Sequence, residues 1–542
     1  MRLFLLWLLR PAPIASLPSS SIPNCGTACT ISVSPYTLAR SGDPLHLEWS
    51  VPSNNISAGW IGFFAPPFHS ESHDDYIMRF LPESIGASEH TVSLTNVRSQ
   101  YYDIRYISNE TGKCLCRADS KIEFAMGSYE PAQGHVSIDI TTGALRVHWV
   151  SDDPSPGYVE YKSPGSAEWL IRHASVSTYG HEDMCGVDAA KYYDPGLFYV
   201  ATLPDSFPEG TEITVRFGSA KRRSRAYTVR VPLKEGSSKT HSVALFGDMG
   251  VQGYYRGPDK VDVPSGRWDT YWVVDHLRSN SRLSMALHIG DVSYAMGRSR
   301  VWDMFGTAVE EVSMKMPYMV SIGNHEFDYS SGGWHPSWGN FGSDSGGECG
   351  IPTKHRYKFP NWWYSFSFGI VRYFMLSSEH DWTEGSEQWK WLNEELSKVN
   401  RLITPWVIVT SHRPMLVSAF DPDERAVEDH MYPALGPLLL KHKVNLFVGG
   451  HWHYYERTHP VNGTVHVIAG SAGAFDVGDI FEDLERVAIR WPDVRGYLEL
   501  SISPTQLEGV FWGINDTMAD RKMKEFDHFI VLPWHEDQLT IM

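Results

Sequence analysis

Five apolar runs in the C-terminal half of the chain each end in a side chain that can bind a metal ion. The residues that follow these runs are Gly247-Asp248, Gly290-Asp291, Gly323-Asn324, Ser411-His412 and Gly450-His451-Trp452-His453. Oxygen ligands combined with imidazoles suit iron, manganese or zinc. Two such ions held close together bind a phosphoryl oxygen, lower the pKa of a bridging water and stabilise an in-line transition state. The pattern therefore favours a two-metal site for phosphoryl chemistry.

The apolar runs predict the elements that position these side chains. Runs such as Val243-Ala244-Leu245-Phe246 are typical of strands buried on both faces of an α/β sheet, and helix-like segments such as residues 386–398 alternate with them. Ligand sites in such sheets lie at the carboxyl ends of the strands. A glycine before the Asp or Asn lets the chain turn sharply beside a metal or phosphate. We therefore expect an α/β domain over residues 240–520.

Each motif taken alone has a simpler interpretation. A Gly-Asp pair at a strand end is most often a turn or a helix cap, and a lone histidine such as His412 is more often a hydrogen-bonded core residue. Five such motifs in order, each after a buried run, are hard to obtain by chance. The joint pattern favours the metal site.

The N-terminal half alternates apolar and polar residues between turn signals. Residues 30–34, 45–49 and 90–94 read as strands, and a second all-β pattern follows. Short strands at this spacing predict two small β-sandwiches, at residues 25–126 and 128–235. A mostly polar linker at residues 232–239 precedes the α/β region.

Length, composition and charge restrict the function classes. A chain of 542 residues suggests about three domains. Lys+Arg 47 against Asp+Glu 64 gives a net charge of -17, which argues against a nucleic-acid partner. Hydrophobic and charged contents of 42% and 20% are those of a globular protein. The basic run at residues 221–225 is expected to be a solvated loop.

The N-terminus and the cysteines point to the secretory pathway. Residues 1–16 resemble a short signal peptide, and no later stretch has the roughly 20 apolar residues of a membrane anchor. The cysteines are Cys25, Cys29, Cys114, Cys116, Cys185 and Cys349. The first two are expected to form disulfides with the second two, which leaves the last two to pair. The alternative, a zinc site of the first four, is disfavoured by the short C-x-C spacing. Four sequons, at Asn55, Asn109, Asn462 and Asn515, agree with secretion.

The five motifs, in their order, resemble those of the purple acid phosphatase family of calcineurin-like metallophosphoesterases. The family pattern is GDxG, GDxxY, GNH(D/E), VxxH and GHxH, found here at residues 247–250, 290–294, 323–326, 409–412 and 450–453. The resemblance runs from residue 128 to about 515, since the second β region resembles the family's fibronectin III-like domain. Segments at residues 179–185, 194–196, 346–352 and 412–415 resemble the longer plant-type subgroup. The resemblance implies a four-layer αββα catalytic domain after two β-sandwiches.

The resemblance also implies a dinuclear centre. One iron, usually ferric, would be held by Asp248, Tyr294 and His453. The second metal, which is iron, zinc or manganese in the family, would be held by Asn324, His412 and His451. Asp291 would bridge the two ions. A Tyr294 phenolate on ferric iron would give the protein the family's colour.

The activity implied is acid phosphatase activity, in which a metal-bound hydroxide attacks a phosphate monoester in line. Asn324, His325 and Arg413 would contact the substrate, and His325 would bind phosphate or protonate the leaving group; a purely structural His325 is the alternative. Glu326 and Glu456 are expected to orient ligands through hydrogen bonds.

One departure from the family leaves the substrate open. Small plant members carry a histidine pair after VxxH, whereas residues 415–432 offer only His430. Arg413 is a candidate for the missing positive charge, with an ion pair to a carboxylate as the alternative. The glycine- and tryptophan-rich residues 332–352 are expected to border the site, with His335 and Trp338 as candidate contacts or as parts of a packed loop.

Two other functions compete with a phosphomonoesterase. The first is a nucleotide pyrophosphatase or phosphodiesterase that uses the same site, since pocket shape outside the metals decides the substrate. The second is an extracellular binding protein with an inert phosphatase domain, which is disfavoured because all seven ligand positions hold the expected residue types. The expected partners are phosphate esters, including nucleotides, with neither nucleic acid nor a membrane anchor. The oligomeric state is open, with a homodimer as the candidate.

Overall fold

A computed structural model describes most of the chain. The described residues are 25–51, 59–66, 76–80, 87–185, 193–251, 261–262, 270–327, 334–339, 342, 344–420, 425–474, 481–482, 484–515, 518 and 522–534. The predicted signal peptide and Asn55 lie outside them. The chain divides into two compact units, Met1–Gly127 with Asp259–Pro264, and Ser128–Pro258 with Ser265–Met542. Within the described residues, no helix has both the length and the apolar character required to span a membrane.

The first unit consists of short strands. They are β1 Thr30–Ser34, β2 Thr37–Leu38, β3 Pro44–Ser50, β4 Gly59–Phe64, β5 Met78–Phe80, β6 Ala87–Ser93, β7 Asp103–Ser108, β8 Cys114–Arg117 and β9 Glu123–Phe124. They form antiparallel sheets of order β1-β3-β6 and β5-β4-β7-β8, and β2 pairs with β9. Alternation places Ile31 and Val33 of β1 in the core. Disulfides Cys25–Cys114 and Cys29–Cys116 confirm the predicted pairing in this unit.

The second unit begins with a further eight strands. They are β10 Ala132–Ile138, β11 Leu145–Ser151, β12 Tyr158–Lys162, β13 Leu170–His173, β14 Ser175–Ser177, β15 Leu197–Thr202, β16 Glu212–Gly218 and β17 Tyr227–Arg230. They form two antiparallel sheets, of order β10-β11-β15-β14 and β13-β12-β16-β17. Side chains of both sheets, among them Val147, Trp149, Val159 and Val215, form one buried core. Three arginines of the basic run at residues 221–225 pair with carboxylates, for example Arg222 with Asp153.

The rest of the second unit alternates strands and helices. Its strands are β18 His241–Phe246, β20 Leu283–Ile289, β21 Tyr318–Ser321, β22 Tyr364–Phe368, β23 Val371–Met375, β24 Trp406–Thr410, β25 Leu446–Gly449, β26 Tyr455–Thr458, β27 Val465–Ala469, β28 Val487–Trp491, β29 Arg495–Ile502, β30 Leu507–Ile514 and β31 Lys524–Val531. Its helices are α1 Thr270–Ser279, α2 Ser299–Ser313, α3 Ile351–Tyr357, α4 Glu387–Ser397 and α5 Arg425–Lys441. The short strand β19, Val261–Asp262, belongs instead to the first unit and pairs with β5.

Two sheets pack face to face in this region. Their orders are β21-β20-β18-β29-β30-β31 and β22-β23-β24-β25-β27-β26-β28. Trp406 and Ile408 of β24 enter the core shared by the two sheets. Val407 and Val409 of the same strand pack against α4 and α5 on the outer face. Strands buried on both faces explain the continuous apolar runs of the sequence.

The second β region and the α/β region form one compact unit, whereas the sequence predicts them as separate domains. Buried polar contacts join them: Gln133 Nε2 donates to Asp303 Oδ1 at 2.8 Å, and Arg356 Nη1 donates to Gln133 Oε1 at 2.6 Å. The disulfide Cys185–Cys349 also joins them, as predicted.

Candidate metal centre

The predicted ligands lie where the carboxyl ends of strands from both sheets meet. In the first sheet, β18, β20 and β21 run parallel, and their following loops carry Asp248, Asp291 and Asn324. In the second sheet, β24 and β25 run parallel and precede His412 and His451. Backbone hydrogen bonds, such as that from Gly247 N to Ala469 O at 2.9 Å, join the two edges. The edges therefore hold one cluster rather than two separate sites.

The backbone at the cluster adopts conformations that most residues avoid. Asp248, Asp291, Tyr294 and His451 have φ values of 59°, 50°, 51° and 68°. A left-handed conformation at a residue other than glycine costs of order 1 kcal/mol and concentrates at functional sites. Gly290 has φ 92°, and a Cβ there would lie 2.5 Å from His412 Nδ1. Turn geometry and close approach thus account for the glycine of this motif.

The first predicted ligand set is compact. Tyr294 Oη lies 3.1 Å from Asp248 Oδ1 and 3.1 Å from His453 Nε2, and the distance from His453 Nε2 to Asp248 Oδ1 is 3.4 Å. Neighbouring ligands of an ion with bonds of about 2.0–2.2 Å lie about 3 Å apart. The three donor atoms therefore fit one face of a metal ion.

The second predicted set has the same spacing. Asn324 Oδ1 lies 3.0 Å from His412 Nε2 and 3.1 Å from His451 Nδ1. Asp291 Oδ1 lies 3.2 Å from His412 Nε2. Donor atoms of Asp248, Asp291 and His412 all lie within 4.8 Å of one another. The structure thus brings all seven sequence-predicted ligands together, and their donor types fit a dinuclear centre.

Buried negative charge makes this cluster attractive to cations. Burial disfavours charge on Asp291, yet His412 and His325 outweigh it and hold the pKa of Asp291 well below its usual range. Burial likewise disfavours the imidazolium of His412, but Asp291 and Asp248 outweigh it and raise the pKa of His412 to about 9. The charges of Asp291 and His412 thus stabilise each other, whereas burial raises the pKa of Asp248. Cations bound here would supply the positive charge instead.

Glu326 fixes the loops that carry Asp291 and Asn324. Its Oε2 accepts hydrogen bonds from the backbone N–H groups of Asp291 at 2.8 Å and Gly323 at 3.0 Å, and its Oε1 accepts one from Val292 at 2.8 Å. Glu456 behaves differently, since it accepts hydrogen bonds from Ser418 and Arg490. The ligand-orienting contacts predicted for both residues are therefore present for Glu326 only.

Arg413 is not placed as a substrate contact, which corrects the prediction from the sequence. Its side chain is only 1% exposed, and its Nε donates to Glu379 Oε1 at 3.1 Å. Its Nη1 lies 3.0 Å from His451 Nε2. The buried ion pair with Glu379, the alternative considered above, is what the structure contains. Desolvation explains why this guanidinium lies against a carboxylate.

His325 stays at the open side of the cluster. Its side chain is 21% exposed, and its Nε2 lies 3.8 Å from Asp291 Oδ2. Its ring packs against Tyr294 with centroids 4.4 Å apart. His430 instead stacks on Trp338, with centroids 3.9 Å apart and planes 5° from parallel. His335 is exposed on the same loop as Trp338.

Two residues near the ligands were not identified from the sequence. Glu379 follows β23, a further parallel strand at the same edge of the sheet. The sequence feature that could have identified it is the apolar run before it, which ends in Ser377 instead of glycine. Asp344 accepts a hydrogen bond from Asn324 Nδ2 at 3.0 Å. It lies in a stretch without periodicity, so no pattern marked it.

Comparisons with known proteins agree with these motifs. A model of the calcineurin-like phosphoesterases matches residues 241–455. "Probable inactive purple acid phosphatase 9" of Arabidopsis thaliana is 30% identical over 510 residues, which cover 83% of this chain and 77% of that protein. "Nucleotide pyrophosphatase/phosphodiesterase" of Hordeum vulgare is 34% identical over 303 residues, 51% of this chain and 80% of the relative. Human "Acid phosphatase type 7" is 27% identical over 382 residues, which cover 64% of this chain and 78% of that protein.

A solved structure shares the fold. Purple acid phosphatase PPD1 from yellow lupin (Lupinus luteus) seeds superposes with a TM-score of 0.79 at 24% identity, over 95% of this chain and 98% of the lupin chain. This likeness confirms a sheet-rich N-terminal region followed by a metallophosphoesterase domain.

Proposed function

Since the chain belongs to the purple acid phosphatase family of calcineurin-like metallophosphoesterases, we propose that it is an active enzyme that hydrolyses phosphate monoesters. The observation that carries the proposal is the convergence of all seven ligand side chains with donor atoms about 3 Å apart. Several relatives bear the words "probable inactive" in their names, so activity itself is what an experiment must establish.

The chain's own residues divide the metal-binding task. Asp248, Tyr294 and His453 would hold iron, Asn324, His412 and His451 would hold iron, zinc or manganese, and Asp291 would lie between the two. When bound, the two ions supply positive charge that binds phosphoryl oxygens and lowers the pKa of water. The Glu326 carboxylate holds the loops of Asp291 and Asn324 together by accepting hydrogen bonds from their backbone N–H groups.

His325 is the proposed proton donor to the leaving group. It is the partly exposed member of the GNHE motif, and its Nε2 is directed toward Asp291, at 3.8 Å from Oδ2. A histidine that is both held and accessible can hand a proton to an alkoxide in the transition state. Its contact with the Tyr294 ring keeps the imidazole over the first ligand set.

A nucleotide pyrophosphatase or phosphodiesterase is the second candidate. The observation that favours it is the barley relative of that name, which is 34% identical to this chain. The same ligand set would serve either substrate, because the metals bind the phosphoryl group and the surrounding loops select the rest of the molecule.

We place the protein in the secretory pathway, because it contains three disulfides and disulfides persist in oxidising compartments.

The substrate class is tested by comparing rates on a phosphate monoester, a phosphate diester and ATP at mildly acidic pH. The secreted protein, loaded with iron and with zinc or manganese, is expected to cleave the monoester fastest. Fastest cleavage of the diester or ATP would replace the monoester assignment with the second candidate. Cleavage of none of the three would favour the binding-protein alternative.

A further inference from the structure

Asp344 contacts two consecutive residues of the metal centre with two different groups. Its side-chain Oδ2 accepts a hydrogen bond from Asn324 Nδ2 at 3.0 Å. Its backbone carbonyl lies 3.2 Å from His325 Nδ1. Both groups of Asp344 are acceptors, so each restricts the orientation of its partner.

The carboxylate decides which end of the Asn324 amide faces the metal position. A carboxylate accepts hydrogen bonds, so the NH2 group of Asn324 must turn toward Asp344. Oδ1 is then directed at His412 Nε2 and His451 Nδ1, at 3.0 and 3.1 Å. An asparagine binds a cation through its oxygen, whereas the reversed amide would present N–H groups to it. Asp344 therefore selects the amide orientation that can bind a metal.

The backbone carbonyl decides the tautomer of His325. A carbonyl only accepts, so Nδ1–H of His325 donates to it and the ring is held with Nε2 on the side of Asp291. Nε2 is the nitrogen that lies 3.8 Å from Asp291 Oδ2. Asp344 thus also orients the His325 ring, with Nε2 toward Asp291.

The chain after Asp344 is held firmly, although Asp344 itself is exposed. Glu348 is buried and accepts hydrogen bonds from Gly297 N at 3.1 Å and Trp302 Nε1 at 3.0 Å. The next residue, Cys349, forms the disulfide with Cys185. Gly350 N donates to Glu326 O at 2.6 Å. These anchors connect the segment to both the β region and the ligand loops, so Asp344 is presented at a fixed place.

We propose that Asp344 is a positioning residue that fixes the orientation of the Asn324 amide and thereby sets the affinity for the second metal. The inference rests on the metal centre of the proposed function but is independent of the substrate. A hydrogen bond that merely tied down a surface loop would change thermal stability without changing the affinity of one metal position selectively.

The test measures metal affinity in full-length secreted Asp344→Ala. Metal content is determined after dialysis against graded chelator concentrations, and visible absorption reports iron at the Tyr294 set. Loss of a residue that orients a ligand costs about 10- to 100-fold in metal affinity. We expect that loss at the second position only, with the iron colour retained. Asp344→Asn keeps an acceptor oxygen and should restore most of the affinity.

Asp205→Ala is the matched control, because Asp205 forms an exposed ion pair with Lys234 that contributes little. Wild-type affinity for the second metal in Asp344→Ala, or equal loss of both metals, would overturn the inference. An Asp344→Asn variant as weak as Asp344→Ala would also overturn it, because charge rather than amide orientation would then be responsible. A wild type that takes up no second metal would overturn this inference and the metal centre together.

The comparison separates this inference from the proposed function. A wild-type protein that binds two metals yet hydrolyses no substrate refutes the enzyme and leaves the affinity comparison decisive. An active wild type with equal second-metal affinity in Asp344→Ala refutes the inference alone.

Discussion

The phenol of Tyr294 is enclosed by groups that oppose its ionisation. Burial and the nearby carboxylates of Asp248 and Asp291 raise the pKa of Tyr294 well above its usual value. A phenolate forms there only if a strong cation takes the place of the proton. Visible absorption from an iron-bound phenolate would therefore report iron at the first ligand set directly.

Tyr294→Phe removes the phenol and keeps the ring that packs on His325. We expect the visible absorption to disappear and iron affinity to fall by about 10- to 100-fold. Asp248 and His453 remain as ligands, so some iron should stay bound. Absorption spectra and iron analysis of the two proteins check this. An unchanged colour in the variant would remove Tyr294 from the ligand set.

Glu326→Ala leaves three buried backbone N–H groups without an acceptor. Each such group costs about 1–3 kcal/mol, so we expect the thermal midpoint to fall by about 5 °C or more. Glu326→Gln keeps an acceptor oxygen, so its thermal midpoint should fall less. Glu508→Ala, at an exposed residue paired with His528, is the control. Equal midpoints for Glu326→Ala and the control would contradict this role.

The ligand residues could be predicted from the sequence because each follows a recognisable strand end. Asp344 and Glu379 could not, since one lies in an irregular loop and the other follows serines in place of a Gly-Asp motif. The sequence predicts Arg413 as a substrate contact because it directly follows His412. The sequence does not reveal that the Arg413 side chain is buried. Its partner Glu379 is 34 residues away and becomes a neighbour only through the parallel pairing of β23 and β24.

At the scale of elements, β10 and β11 bury a histidine pair at the junction of the two regions. His135 stacks on His148 with centroids 4.4 Å apart, and burial lowers the pKa of His135 to about 4. The charge of Arg356 also lowers the pKa of His135, and the Tyr357 ring packs on His135 with centroids 4.8 Å apart. Burial, with the neighbouring His135, likewise holds the pKa of His148 well below its usual value, so both imidazoles are neutral in the fold at pH 7.

This pair predicts a loss of stability in acid. The folded pKa of His135 lies below the unfolded value of 6.5, so its contribution is complete above pH 6.5 and is lost as the pH falls toward about 4. Glutamine does not titrate, so the free energy of unfolding of His135→Gln should fall by about 3 kcal/mol less than that of the wild type over this pH range. Urea unfolding at several pH values measures the difference. Parallel pH dependences for both proteins would contradict the assignment.

Elements buried on both faces were the most predictable. The run of β24 is apolar throughout because alternate residues enter the inter-sheet core and the helix-covered face. Helix α4 was expected over residues 386–398, and Ser386 caps it by accepting a hydrogen bond from Trp389 N. The two-residue strand β19 could not be predicted, because its only structural signal is its pairing with β5.

At the scale of the whole molecule, the second β region and the α/β region are one body. The sequence separates them at a polar linker, but it carries no signal of the buried contacts among Gln133, Asp303 and Arg356. Substrate preference is equally invisible in the sequence, since it depends on how loops surround the ligands. The strand-end motifs identify only the side chains that would bind metals.

The disulfide Cys185–Cys349 closes a loop with a sequence separation of 164 residues. Its removal frees the unfolded chain and should destabilise the protein by about 2–5 kcal/mol. We expect a lower thermal midpoint for the double variant Cys185→Ala/Cys349→Ala. It should also hold the second metal more weakly, because Cys349 anchors the Asp344 segment. Unchanged midpoint and metal content would contradict this coupling.

The most direct test of the metal centre as a catalyst is the kcat/KM for hydrolysis of an aryl phosphate monoester by the metal-loaded wild type and by Asp291→Asn. Asp291 is buried and contacts His412 of the second ligand set, and its charge would act on metals bound at both positions. We predict measurable hydrolysis by the wild type and a loss of at least about 100-fold in the variant. A wild type without activity, or a variant as active as the wild type, would contradict the account.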